Sequence, residues 1–178
     1  MTIHAFVDES QRGPYVVCAV LVAPKELAAM RTALRAMLMP GQRRLHFTQE
    51  RVQRRRGLLS EMAELPFRAR IYQSKAKEPL ARTLAMDALL QDLANLEGRR
   101  LVMERREHSQ DRRERQQIVK AINTGGAPAG LVYDHLPPHE EPLLWIADAI
   151  AWAHGARGEW RPRINSMIEN VHDLDAYS

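Results

Sequence analysis

The chain has 178 residues, 45% of them hydrophobic and 27% charged. That balance suits one compact domain with a core that needs no disulfides, and it argues against a disordered, fibrous or disulfide-built protein. The formal charge is +4 with a single cysteine, and no apolar run approaches the roughly 20 residues that span a bilayer. The N-terminal residues lack the basic-then-apolar layout of a secretory signal. The expectation is therefore one domain over 1–178, cytoplasmic, with no membrane partner.

Ile3–Val7 reads as a first strand that delivers Asp8, Glu9 and Ser10 just before a turn at Gly13-Pro14. Tyr15–Val22 is a continuous, β-branched run, the pattern of a strand buried on both faces. Cys18 lies within it and reads as a core residue, since free cysteine is usually buried. The short connection predicts an antiparallel hairpin. Pro24 suits the first turn of a helix, here over Lys25–Met39, with Leu27, Met30, Leu34 and Leu38 at helical spacing. Pro40-Gly41 stops it.

Arg43–Phe47 is a short extended piece. Thr48 stands where an N-cap belongs, ahead of a second helix over Gln49–Leu65 that is basic on one side. Phe67–Tyr72 alternates apolar and basic residues, the period of a strand with one wet face. A helix over Glu78–Leu96, a strand over Arg100–Arg105, a charged helix over Asp111–Asn123 and a short strand over Leu131–His135 follow. Pro142–Ala153 is apolar nearly all round, so it should be buried, and Asp148 is its only acid. The tail from Arg161 suggests one more weak helix or a docked segment. Hairpin first, then alternating helices and strands, fits an α/β layer fold with a mixed sheet.

The positive charge is clustered, with Arg43, Arg44, Arg51, Arg54, Arg55 and Arg56 in one region. Arginine makes bidentate phosphate contacts, so nucleic acid is a candidate partner; solvation of helix faces is the plain alternative. The acids carry the sharper signal. Asp8 and Glu9 end the first strand, Glu104 the fourth and Asp134 the fifth, and Asp148 sits in the apolar helix. In α/β sheets ligands bind beyond the carboxyl ends of the strands. A few carboxylates with water satisfy Mg²⁺ or Mn²⁺, and two such ions support phosphodiester hydrolysis. Each acid also has an ordinary role open to it: Asp8 as a turn cap, Glu9 and Asp134 as surface residues, Glu104 and Asp148 as partners of arginine. His46 is a candidate phosphate contact or proton shuttle. No zinc-type His/Cys cluster, P-loop, dinucleotide fingerprint or nucleophile elbow is present.

Taken in order, Phe6–Ser10, Leu45-His46-Phe47, Leu101–Arg105 and Glu141–Trp152 resemble the domain-of-unknown-function 3800 family, widespread in bacteria. The family opens on an Asp-Glu-Ser-Gly signature and closes on an Asp-bearing apolar helix. The resemblance covers about residues 3–155. It implies a ribonuclease H-like fold, a five-stranded mixed sheet flanked by helices, and an acidic cluster in which Asp8, Glu104 and Asp148 are metal ligands. It gives Glu9 no ligand role. Gln11 stands where glycine is usual, and Glu104 where related nucleases often have Asp.

The functional expectation is a Mg²⁺- or Mn²⁺-dependent nuclease. Asp8, Glu104 and Asp148 would hold metal, with Glu9 and Asp134 as further ligand candidates. His46 would assist proton transfer, and Arg43, Arg44, Arg54 and Arg55 would bind the backbone of RNA or DNA. A non-catalytic nucleic-acid- or protein-binding module on the same fold is the alternative. A homo-oligomer with Trp145 and Trp152 near its interface is a third.

Overall fold

The computed structural model describes residues 2–176. Its strands form one sheet in the order β5-β4-β1-β2-β3-β6. β1 (Ile3–Ser10) and β2 (Tyr15–Val22) are the expected hairpin, and β3 (Arg68–Ser74) runs antiparallel to β2. β4 (Gly98–Glu104) lies parallel to β1 on its other side, and β5 (Val132–Leu136) lies parallel to β4. The mixed α/β sheet expected from the sequence is present, but it has six strands and not five. The sixth is β6 (Ile168–Asp173), which runs parallel to β3 at the sheet edge. It comes from the tail read above as a weak helix or a docked segment. Only a five-residue helix, α6 (Trp160–Ile164), precedes it.

β2 is buried at all eight positions, which is why it shows no polar alternation. On one face of the sheet pack α1 (Leu27–Ala36), α2 (Val52–Met62) and α5 (Leu143–Ala156), around Phe6, Cys18, Val20, Val102 and Trp145. On the other face α3 (Leu80–Asn95) and α4 (His108–Thr124) cover Ala5, Val7, Val17, Tyr72 and Leu101. Successive side chains on a strand point to opposite faces, so β1 feeds both cores. Cys18 is fully buried, and burial pushes its thiol well above the ordinary range.

α5 is the helix that positions the site. Eleven of its residues are buried, as its all-round apolar sequence requires. Its entry is pinned by Glu141, whose carboxylate accepts a bidentate pair of hydrogen bonds from Arg31 of α1 at 2.8 and 3.1 Å and one from the Leu143 amide at 3.3 Å. Trp145 donates its indole N–H to the Pro138 carbonyl at 2.7 Å. Trp145 and Trp152 are 1% and 5% exposed, so neither offers the interface surface considered above. Among the described residues no helix is long and apolar enough to cross a membrane.

Two further local expectations are corrected. Thr48 does not cap α2: Phe47–Gln49 forms a 3-10 turn, and Arg51 is the N-cap with no side-chain cap bond. α4 begins three residues earlier than expected, at His108, because Glu107 and Gln110 form a reciprocal capping box, a device that satisfies two free amides at once.

The β1–β2 turn rests on the end of α5. A Cβ built on Gly155 would stand 2.5 Å from the Arg12 carbonyl oxygen, backbone that cannot rotate away. Gly155→Ala is therefore expected to destabilise the fold by about 1–3 kcal/mol through forced displacement of that turn. A urea midpoint equal to that of the unmodified protein would contradict the close packing.

Candidate active site

The register of β1 and β4 explains the first pair of acids. Phe6 lies opposite Val102 and Val7 opposite Met103, so Asp8 and Glu104 follow next on adjacent strands. Each is two residues beyond a side chain of the α5-side core, Phe6 and Val102 respectively, and so shares its face. α5 crosses that face and supplies Asp148. All three acids line one cleft of about 470 Å³, together with Arg12, Arg44, His46, Thr48, Arg105 and Trp152.

The cleft holds its acids under electrostatic tension. Burial raises the Asp8 carboxyl well above its ordinary value, because the charged form loses water. Glu104 adds to this by charge and by a shared side-chain hydrogen bond, and Asp148 adds a smaller repulsion. The Glu9 amide donates to Asp8 at 2.7 Å and opposes the shift. Asp148 is also raised by burial, offset in part by the Phe47 amide, His46 and Arg44, with Glu104 acting in the raising direction.

The segment before α2 forms the opposite wall. His46 is extended, with φ −123° and ψ 100°, and the following Phe47 amide donates to Asp148 Oδ2 at 2.9 Å. Phe47 packs edge-on against Trp152 with ring centroids 5.3 Å apart. Arg44 reaches between the acids, 3.5 Å from Glu104 and 4.0 Å from Asp148. The four arginines assigned to nucleic acid thus divide. Arg43 is exposed and Arg44 lines the cleft. Arg54 is tied to Glu50 at 3.0 Å and to the Met37 carbonyl, which fastens α2 to the end of α1. Arg55 donates to the Phe47 and Thr48 carbonyls at 2.8 and 2.6 Å and holds the His46 segment in place.

Two acids proposed as further ligands are held elsewhere. Asp134 pairs with Val102 in register, is bound by Arg100 at 3.0 Å and does not line the cleft. Glu9 reaches the cleft rim but is paired with Arg82 at 3.2 Å and Arg106 at 3.7 Å, on the α3 side of the sheet. Behind it lies a buried ionic network that the sequence reading missed. Arg82 donates twice to Glu114, at 2.7 and 3.0 Å, and Glu114 also meets Arg106 and His135. Burial alone would raise the Glu114 carboxyl, but Arg82, His135 and Arg106 outweigh it and hold it far below the ordinary range. The available signal was an arginine at a core-facing position of α3, since Ala81, Ala85, Met86 and Leu89 around Arg82 are all buried.

The chemistry of the donor set fits a hard divalent cation. Asp8, Glu104 and Asp148 offer only carboxylate oxygens, and their mutual repulsion is the kind that a cation relieves. Among the described residues, however, no three or more His, Cys, Asp or Glu side chains are arranged as a formed metal cluster. The cationic group between two of the acids is the Arg44 guanidinium.

No protein-family model matches the chain, and no curated protein matches it in sequence. Among solved structures it is similar to the PCNA:RNase HII complex from Archaeoglobus fulgidus, with a TM-score of 0.55 and 16% identity over 92% of this chain and 75% of that one. The likeness, with the strand order above, shows a ribonuclease H-like fold carrying one more strand than expected.

Because the folded Asp8 carboxyl titrates above its ordinary value of 3.8, the folded state binds more protons there than the unfolded chain, and stability falls as pH rises through that interval. Asp8→Asn is expected to raise the urea midpoint at neutral pH in the presence of chelator. The gain should fade on acidification below the ordinary value, and a variant less stable than the parent at pH 7 would contradict the tension described. Glu114 carries the opposite sign. Its stabilisation is full above its ordinary value of 4.5 and is lost as pH falls below it. Glu114→Gln, which leaves Arg82 with Glu9 as its close carboxylate, should cost about 3–5 kcal/mol at neutral pH, read from denaturant melts.

Proposed function

We propose that the protein is a divalent-metal-dependent nuclease that hydrolyses phosphodiester bonds of nucleic acid in the cleft between β1, β4 and α5. The observation that carries this reading is the gathering of Asp8, Glu104 and Asp148 on one cleft, with Asp8 held above its ordinary range by burial and by Glu104. A carboxyl perturbed by burial and by a close like charge, sitting in a cleft, is a functional-site candidate. The fold adds support by analogy, since it is shared with an RNase HII. The motifs of the chain support its grouping with the domain-of-unknown-function 3800 family.

In this reading Asp8, Glu104 and Asp148 hold Mg²⁺ or Mn²⁺. A bound ion of this kind makes water nucleophilic near neutral pH and stabilises the leaving oxygen. Burial and the Glu9 amide keep the Asp8 carboxyl oriented. The Phe47 amide fixes the Asp148 rotamer and leaves its other oxygen to the cleft. Arg44, which meets Glu104, Asp148 and the Leu45 carbonyl at the cleft, would turn its guanidinium toward a phosphate oxygen, for which it is suited. His46, beside Asp148, is placed to accept or return a proton at the cleft wall. Glu9 and Asp134 take no part.

A second reading draws on Arg44. Its pairing with Glu104 and Asp148 is what a non-catalytic nucleic-acid-binding module on this fold would show. The two readings separate in one experiment. Single-stranded RNA, single-stranded DNA and RNA–DNA hybrid are incubated with Mg²⁺, with Mn²⁺ and with chelator. The nuclease reading expects metal-dependent cleavage of at least one substrate, reduced about 100-fold or more in Asp8→Asn and in Asp148→Asn, with both variants folded by circular dichroism. Binding that weakens with salt, ignores chelator and never leads to cleavage would replace it with the binding module.

A further inference from the structure

One end of the cleft is formed by Arg12 and Trp152, and Arg12 shares the Trp152 indole with Arg55. Arg12, in the β1–β2 turn, is exposed, and its guanidinium lies 5.1 Å from the centroid of the Trp152 ring. Arg55 lies 4.3 Å from the same centroid. A cation over an indole is stabilised by the ring quadrupole, but two cations on one indole repel each other. The repulsion registers at Arg55, whose guanidinium is lowered by burial and then by Arg12. Its hydrogen bonds go to the neutral carbonyls of Phe47 and Thr48. Arg12 makes no side-chain bond to a carboxylate among the described residues, in contrast to Arg31, Arg54, Arg56, Arg82 and Arg106. Trp152 itself is 5% exposed, lines the cleft, and its indole N–H is buried with no acceptor.

The backbone and the ring that carry these groups are held in place. The Arg12 backbone rests on Gly155, where no side chain could fit. Arg55 is locked by the two carbonyls it serves, and Trp152 is clamped between Phe47 and Trp160, at centroid distances of 5.3 and 5.1 Å. An exposed cation at the cleft with no carboxylate bonded to it among the described residues, beside a second cation on the same indole, describes a seat for an external anion. The seat opens on the cleft that holds Asp8, Glu104 and Asp148. A strand of nucleic acid spans both ends, its scissile phosphate toward the carboxylates and a neighbouring phosphate toward the arginines.

We propose that Arg12 and Arg55, gathered on the Trp152 indole, seat a backbone phosphate of the nucleic-acid strand next to the one that is cleaved. The assignment rests on the nuclease reading and adds to it a residue, Arg12, that the basic cluster of the sequence did not include. Arg12 binds and orients substrate and takes no part in bond cleavage.

The test compares the unmodified protein with Arg12→Gln and Arg12→Lys. Binding of labelled single-stranded RNA of about 12 nucleotides, a length within one binding groove, is followed by fluorescence anisotropy in chelator. Salt is varied from about 50 to 200 mM. Arg12→Gln is expected to weaken binding about tenfold and to reduce the slope of log affinity against log salt by about 0.7, one phosphate of a single strand. Arg12→Lys should keep the slope and recover part of the affinity. In cleavage assays with Mg²⁺, Arg12→Gln should raise KM and leave kcat nearly unchanged. Sodium phosphate, compared with sodium chloride at equal ionic strength, should compete with the RNA on the unmodified protein and lose that extra effect in Arg12→Gln.

If the unmodified protein binds and cleaves while Arg12→Gln matches it in affinity and slope, the seat is wrong and the nuclease reading stands. A fall in kcat at constant KM, or phosphate competition equal in both proteins, also overturns the seat. If the unmodified protein neither binds nor cleaves any of the nucleic acids, both readings fall together.

Discussion

The crowding of three carboxyls against one apolar helix is the constraint to which the surrounding chain answers. Asp8 and Glu104 are brought together by the pairing of β1 with β4, and Asp148 is set down over them by α5. Buried acids are costly unless hydrogen-bonded or paired, so each neighbouring segment presents something to them. The Glu9 amide serves Asp8, the Phe47 amide serves Asp148, and Arg44 spans Glu104 and Asp148. The path of the chain from Arg43 to the start of α2 follows from that service. His46 is at the cleft because the residue after it is bonded to Asp148.

The two faces of the sheet treat charge in opposite ways, and β1 shows the contrast within two residues. Glu9 faces α3 and α4, where Arg82, Arg106, Glu78, Glu114 and His135 form a network in which each acid has a close cation. Asp8 faces α5, where acids outnumber close cations and its carboxyl is raised by burial and by Glu104. A balanced network fixes structure, whereas an unbalanced one leaves an electrostatic demand that a ligand can meet. In the nuclease reading the unbalanced α5 side does the chemistry, while the balanced α4 side fixes structure. It also explains why adjacent members of one short motif have different fates.

Much of this was legible in the sequence. The hairpin, the buried β2 run, the all-round apolar helix and the strand-end acids follow from periodicity and from the cost of burying charge. Asp148 stood out because an acid among Trp145, Ile146, Ala149 and Ile150 must have a partner. What was hidden depends on register and on distant pairing. Asp134 and Glu104 both sit near strand ends and share a face, yet Asp134 lies level with Val102, two residues short of Glu104 and one strand further out, where Arg100 binds it. Arg54 and Arg55 look like free basic residues in sequence, but their partners are main-chain carbonyls at Met37, Phe47 and Thr48, which no local pattern announces. β6 was missed because an edge strand with most residues exposed carries no apolar alternation.

That edge strand bears on the order in which the molecule is completed. β6 pairs only with β3, and Glu169 joins it to Arg68 and Arg70 across the seam. Every other strand, and the helix that carries Asp148, comes earlier in the chain. During synthesis the cleft can therefore assemble while the outer edge of β3 still shows unpaired amides and carbonyls. An open edge of that kind invites pairing with foreign strands. Arg68, which meets Glu169 of β6, is then a charge on that edge, a feature that discourages such pairing until β6 covers it.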